Sequence, residues 1–272
     1  MNWRAVMTIV RKDLKVISRS KGVLIPLIVV PVVIFVALPS LVALLPPAAK
    51  LSATPLARLG DLVTQMPTGL QSALTGYNET QKVVVLALVY FLAPMYLIVP
   101  LVVVSVISAD SFAGEKERKT LEALLYAPIT DRELFLGKLL SAWLPAMGVA
   151  VGGFLLYGLV ANLAAWRVMG RIFFPNAMWL LLVAWVAPAV AGLGLGTMVL
   201  VSSRAQGFQD AYQLGTAVVL PIVLLLVGQA TGVMYFSVGL VLLLGLILWV
   251  VDATLLWFGI KTFQRSELVA HS

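Results

Sequence analysis

The sequence predicts an all-α membrane protein. It has six transmembrane helices, an N-terminal amphipathic elbow helix, and a short charged cytoplasmic helix between spans 2 and 3. Composition is the first ground for this class. The 272 residues are 61% hydrophobic and 11% charged, with a mean hydropathy of +1.02. Soluble domains hold about 45–50% apolar and about 25% charged residues, so lipid must be the solvent for most of this chain. The second ground is six apolar runs, each close to or above the roughly 20 residues that cross the hydrocarbon layer. The third is the segregation of lysine and arginine. With the N-terminus inside, Arg4, Arg11, Lys12, Lys15, Arg19, Lys21, Lys116, Arg118, Lys119, Arg132, Lys138, Arg204, Lys261 and Arg265 fall on the cytoplasmic side. Only Lys50, Arg58, Lys82, Arg167 and Arg171 fall outside, the asymmetry expected of a multi-pass protein of a cell membrane with both termini cytoplasmic. The net charge of +7 is thereby explained by topology. No basic domain is left over for nucleic acid.

Residues 1–22 read as the elbow. Trp3, Val6, Met7, Val10, Leu14 and Ile17 recur at helical spacing on one face, and Arg4, Arg11, Lys12, Lys15 and Arg19 take the other. Such a helix lies in the inner headgroup layer with Trp3 toward lipid and Arg11, Lys12 and Lys15 toward phosphate. The run is preceded by this long basic stretch and is of spanning length, which is not the pattern of a cleavable signal. Spans follow near 23–45, 83–107, 134–162, 178–202, 211–234 and 237–260. Backbone groups in lipid must be satisfied within the segment, so these are helices. The last two form a tight hairpin around Met234–Ser237. Residues 46–82 form the longest stretch outside the bilayer, with Leu56, Leu59, Val63 and Met66 along one side of a short helix. The whole chain, 1–272, reads as one membrane domain.

The most informative stretch is the charged segment 108–133, between two apolar runs. A helix is expected from about Ser111 to Tyr126. Leu121, Leu124 and Leu125 form an apolar stripe that Gly114 and Glu117 continue. Glu115 and Lys119 stand i,i+4 in the favourable order, and Arg118 and Glu122 in the reverse order. Pro128 removes Ala127 from the helix. Thr130-Asp-Arg-Glu133 is a capping box that opens the helix of span 3. A leucine-tipped helix, a sharp break and a new capped helix suit docking into a groove on a soluble partner.

Several features exclude other chemistry. The absence of cysteine removes disulfides, thiolate nucleophiles and cysteine metal sites. The single histidine, His271, is penultimate. Gly114-Glu-Lys-Glu-Arg-Lys119-Thr120 has the ends of a phosphate loop but lacks its second glycine, its small interior and a preceding strand, so no nucleotide site is expected here. Asp252 is the one carboxylate well inside an apolar run and is the candidate pathway or gating residue. Asn162 and Gln229 read as interfacial, and Trp166, Phe173, Phe174 and Trp179 as an outer aromatic belt. Glycines four apart, Gly148/Gly152, Gly192/Gly196 and Gly228/Gly232, read as close helix contacts.

With those residues in view, the chain resembles the ABC-2 type permeases, the membrane subunits of a class of ABC exporters. The family pattern is a basic amphipathic segment before span 1, an acidic block ending in proline after span 2, and Gly-Lys at span 3. It is matched by Lys12-Asp13-Leu14, by Glu115 to Pro128, and by Gly137-Lys138-Leu139. Lys119 departs from it, standing where many members have glycine. The resemblance implies that Gly114, Glu115, Glu117, Thr120, Leu121, Glu122, Leu124, Leu125 and Pro128 form a coupling helix against a separate ABC ATPase subunit. It also implies two such ATPases holding ATP and Mg, a second permease chain, and no cofactor in this chain. Export is the family's default direction. The rival class is an ATPase-independent secondary transporter or channel, which would carry several intramembrane charges or inverted repeats. An intramembrane protease would need a paired acid or a serine with histidine inside the bilayer. Drug, lipid, peptide, ion and glycan exporters share the chemistry visible in these residues.

Overall fold

The computed structural model describes residues 2–44, 71, 74–118, 130–205, 207–231 and 234–262, and every regular element among them is helical. An N-terminal helix, Trp3–Ile17, precedes six helices long and apolar enough to cross a membrane: Lys21–Ala43, Glu79–Gly114, Arg132–Ala164, Ala177–Ser202, Phe208–Ala230 and Val238–Trp257. We number these spans 1 to 6. Most of the segment expected at 46–82, and the Leu121–Pro128 stretch, lie outside the described residues.

Span 2 is the hub. From Ala93 to Ala109 nearly every residue is buried, and it packs against spans 1, 3, 4 and 5. Spans 5 and 6 lie at the edge, with most of their surface turned outward. In lipid that surface carries no penalty, so exposed Leu220, Leu224, Leu243 and Leu246 are what the bilayer requires rather than a defect.

Three spans widen into π-helical turns just ahead of a proline. These are Val33–Ala37 before Pro39, Leu86–Phe91 before Pro94, and Leu182–Val186 before Pro188. Proline has no N–H and its ring collides with the carbonyl four residues back. A wider turn removes the collision but releases carbonyls into the bundle. In span 2 they are captured by side chains from three other spans. Tyr157 donates its hydroxyl to the Leu88 carbonyl. Trp179 Nε1 donates to Val89 at 2.7 Å, and Gln229 Nε2 donates to Tyr90 at 3.1 Å. The Tyr157 and Trp179 rings stack at 4.8 Å, with Phe174 edge-on to both.

This corrects the expected aromatic belt. Trp166 is exposed as a belt residue should be, but Phe174 and Trp179 are interior, because the released carbonyls hold the indole inside. Gln229 is likewise buried rather than interfacial. Asn162 ties span 3 to the segment after it, donating to the Phe174 carbonyl at 2.8 Å and accepting from the Phe173 amide at 3.1 Å.

A second correction concerns the charged segment. Ser111 does not begin a separate helix. The span 2 helix continues through Asp110–Gly114 and Glu115–Glu117. Hydropathy ends at Ile107, but Asp110, Ser111, Glu115 and Glu117 beyond it are satisfied by partners from this and other elements, so they do not oblige the helix to stop. The expected Thr130–Glu133 capping box is present and opens the helix of span 3 at Asp131. Spans 2 and 3, at 36 and 33 residues, extend to about 54 and about 50 Å at 1.5 Å per residue. Both outrun the roughly 30 Å of hydrocarbon.

Candidate functional site

Among the described residues, the buried charged side chains other than Asp252 collect where the N-terminal helix, the end of span 2 and the start of span 3 meet. Asn2 begins the arrangement. Its side chain accepts from the Arg4 and Ala5 amides and caps the N-terminal helix. Its own amide donates to Glu133 Oε1 at 2.5 Å. Glu133 also accepts from the Thr130 amide at 3.0 Å, so one carboxylate pins the starts of two helices.

The N-terminal helix then lies along span 3. Val6, Ile9, Val10, Asp13 and Ile17 form its buried face. Gly137 of span 3 permits this approach, because a Cβ at that position would stand 3.0 Å from three carbons of Ile9. Trp3 at 58% exposure, with Met7 and Leu14, forms an adjoining apolar strip that faces outward, and Arg4, Arg11 and Lys15 are exposed beside it. The single apolar face read from the sequence is therefore split. Val6, Val10 and Ile17 go to protein, and Trp3, Met7 and Leu14 face outward.

Glu115 is the centre. It is 5% exposed. Its Oε1 accepts from Lys12 Nζ at 2.5 Å and its Oε2 from Lys138 Nζ at 2.5 Å. Lys138, 0% exposed, also donates to the Ser111 carbonyl at 2.5 Å and lies 5.3 Å from the centre of the Phe112 ring. The Ser111 hydroxyl donates to Asp13 Oδ2 at 3.1 Å. The Ser141 hydroxyl lies 3.0 Å from the same oxygen, and Lys12 lies 3.3 Å from Asp13 Oδ1. Two lysines thus face two carboxylates, and buried charge is tolerated because it is paired and hydrogen-bonded. Burial alone would push the Glu115 carboxyl up; the charges of Lys138 and Lys12 outweigh it and hold the group below the usual carboxylate range. Burial works against the charged Lys12, and its bonds to Glu115 and Asp13 raise it above the usual amine range.

The same short turn reaches a fourth element. Glu117 Oε2 accepts from the Phe208 amide at 3.0 Å, at the N-terminus of span 5, where Gly207 leaves room for the carboxylate. A carboxylate suits a helix start. Arg118 folds back onto Asp110, Nη1 to Oδ1 at 2.9 Å. Glu115 is held by Lys12 and Lys138; Lys119, which i,i+4 spacing set beside it, lies outside the described residues. The sequence did not single out Lys138, Asp13, Ser111 or Ser141 as site residues; Asp13 entered only within a short motif, and Lys138 within another and as a cytoplasmic cation.

Of the expected coupling residues, Gly114 and Glu115 are buried and Glu117 is exposed. Thr120, Leu121, Glu122, Leu124, Leu125 and Pro128 lie outside the described residues. Arg11, Lys12 and Lys15 lie on the exposed side of the N-terminal helix, and Lys12 turns its amine inward to Glu115. Asp252 is far from this cluster in the chain and packs against Gly192 of span 4. Among the described residues no group of three or more acidic, histidine or cysteine side chains gathers as metal ligands would.

Six candidate spans, a hydrophobic exterior, and one end where buried ion pairs tie the N-terminal helix to spans 2 and 3 define a multi-pass membrane protein. Residues 7–260 match the model of the ABC-2 family transporter proteins, and the chain belongs to that family. It is the permease component of an ABC transporter, a membrane component rather than the nucleotide-binding unit, and its family implies partnership with an ABC ATPase subunit. A search of curated proteins found no match.

Proposed function

We propose that this chain is the permease half of an ATP-driven exporter in the cell membrane, with both termini cytoplasmic. The working unit has two permease chains and two ATPases, which hold the ATP and Mg. The segment from Glu115 to Pro128 is the coupling element on which the ATPase acts. Trp3, Arg11, Lys12 and Lys15 belong to an elbow at the headgroup layer.

The observation that supports this reading is the Glu115 cluster. The turn Glu115–Glu117 is bonded to the N-terminal helix through Lys12, to span 3 through Lys138 and to span 5 through the Phe208 amide. A push on the segment that follows this turn is therefore delivered to three elements at once. Closure of the ATPase pair by ATP favours whichever permease conformation binds the closed pair better, and only that difference in affinity drives the change.

Replacing Leu121 and Leu125 with aspartate tests the docking. The double variant is expected to insert normally and to lose ATPase co-purification. Full co-purification from an inserted variant overturns the assignment of the coupling element.

A further inference from the structure

Asp252 lies in span 6 and is 1% exposed, and neither carboxyl oxygen has a hydrogen-bond partner among the described residues. It faces span 4 at Gly192, where a Cβ would stand 2.4 Å from Oδ2. One turn further on, Gly196 meets Leu255 in the same way. The two glycines thus make a seam into which span 6 sets an acid and a leucine.

Among the described residues no cation is paired with that acid. Span 4, the element packed along span 6, has no ionisable residue from Ala177 to Ser202. Arg204 lies 12 positions beyond Gly192, about 18 Å along the helix. On span 6 itself Lys261 lies nine positions beyond Asp252, about 13 Å away. A second permease chain cannot supply the cation either, because the carboxyl is sealed inside its own chain. An ionised carboxylate so enclosed, with no counter-ion among the described residues, is costly.

We propose that Asp252 is a proton-binding site built into the seam between spans 4 and 6. It is the neutral acid while Gly192 closes over it. It gives its proton to entering water when the helices part, leaving a carboxylate and a hydronium ion. The closed seam then holds one proton more than the open one. Low pH favours closure, and rising pH favours opening by up to about tenfold per pH unit. This inference does not depend on the ATPase docking segment, and its test does not use the ATPase.

The full-length chain in lipid nanodiscs provides the test. Infrared difference spectra at neutral pH are expected to show the carbonyl stretch of a buried carboxylic acid. Asp252→Asn should lack it, and Asp252→Glu should shift it, which keeps the assignment secure if the asparagine variant folds poorly. The seam is then followed by disulfide formation between Gly196→Cys and Leu255→Cys, in a chain with no other cysteine. Relative to the same pair in the Asp252→Asn background, cross-linking should fall as pH rises. Absence of the acid band, a band unchanged in both variants, or the same pH dependence in the two backgrounds overturns the proposal.

Discussion

The ammonium of Lys138 meets the carboxylate of Glu115 at 2.5 Å, with the lysine wholly enclosed and the glutamate nearly so. The pair joins the end of span 2 to the start of span 3. Lys12 takes the other oxygen and adds the N-terminal helix. Removing one member of a buried pair leaves a stranded charge, whereas replacing both by apolar groups can cost little.

Glu115→Gln should therefore destabilise the bundle by about 3–5 kcal/mol, because Lys138 keeps its charge without a counter-charge. Glu115→Leu combined with Lys138→Met should recover most of that loss. Thermal unfolding in detergent, read as a double-mutant cycle, gives the coupling directly.

Gly137→Ala places a methyl against Ile9 and should cost about 1–3 kcal/mol through overpacking, loosening the N-terminal helix. Adding Ile9→Ala relieves the contact, so the two changes should be non-additive by at least about 0.5 kcal/mol. Limited trypsin cleavage at Arg11 reports the release of the helix.

Acid should loosen the same joint. Because Lys138 and Lys12 depress the Glu115 carboxyl despite its burial, the folded state binds fewer protons than the unfolded one near the ordinary carboxylate value of about 4.3. The stabilisation is complete above that value and disappears as pH falls through the lower folded one. Lys12 is raised, so its share is lost only above the ordinary amine value of about 10.4. The stability advantage of the wild type over Glu115→Gln should be flat across neutral pH and vanish in acid, as followed by melting temperature against pH.

In span 2, Gln229→Leu leaves the Tyr90 carbonyl without its partner and should cost about 1–3 kcal/mol. Trp179→Phe does the same to Val89 and also opens the aromatic cluster. Hydrogen exchange should rise around Leu86–Phe91 in both variants.

The six spans were legible in the sequence because apolar length alone defines them. The capping box at Thr130–Glu133 was legible because its spacing is local. What hydropathy could not show is where a helix ends once its polar residues are satisfied from elsewhere. Asp110, Ser111 and Glu115 look like the edge of a loop until Lys12, Lys138 and Arg118 are seen around them. Their sequence separations run to 103 positions, beyond any local pattern. Trp179 and Phe174 misled for the opposite reason: aromatic residues at a span end suit an interface, but here proline-released carbonyls draw them inward. The Gly-Lys pair at 137–138 has a physical meaning only in three dimensions, with the glycine admitting Ile9 and the lysine reaching Glu115.

In the proposed function, Glu115 is the point through which motion of an ATPase would reach the N-terminal helix. The absence of native cysteine allows spin labels at exposed Met7, on that helix, and exposed Leu224, on span 5. Their separation can be measured in the assembled transporter with and without trapped ATP. The account predicts a nucleotide-dependent change in the wild type that is lost in the Glu115→Leu/Lys138→Met variant while ATP binding persists. An equal change in both proteins would contradict it.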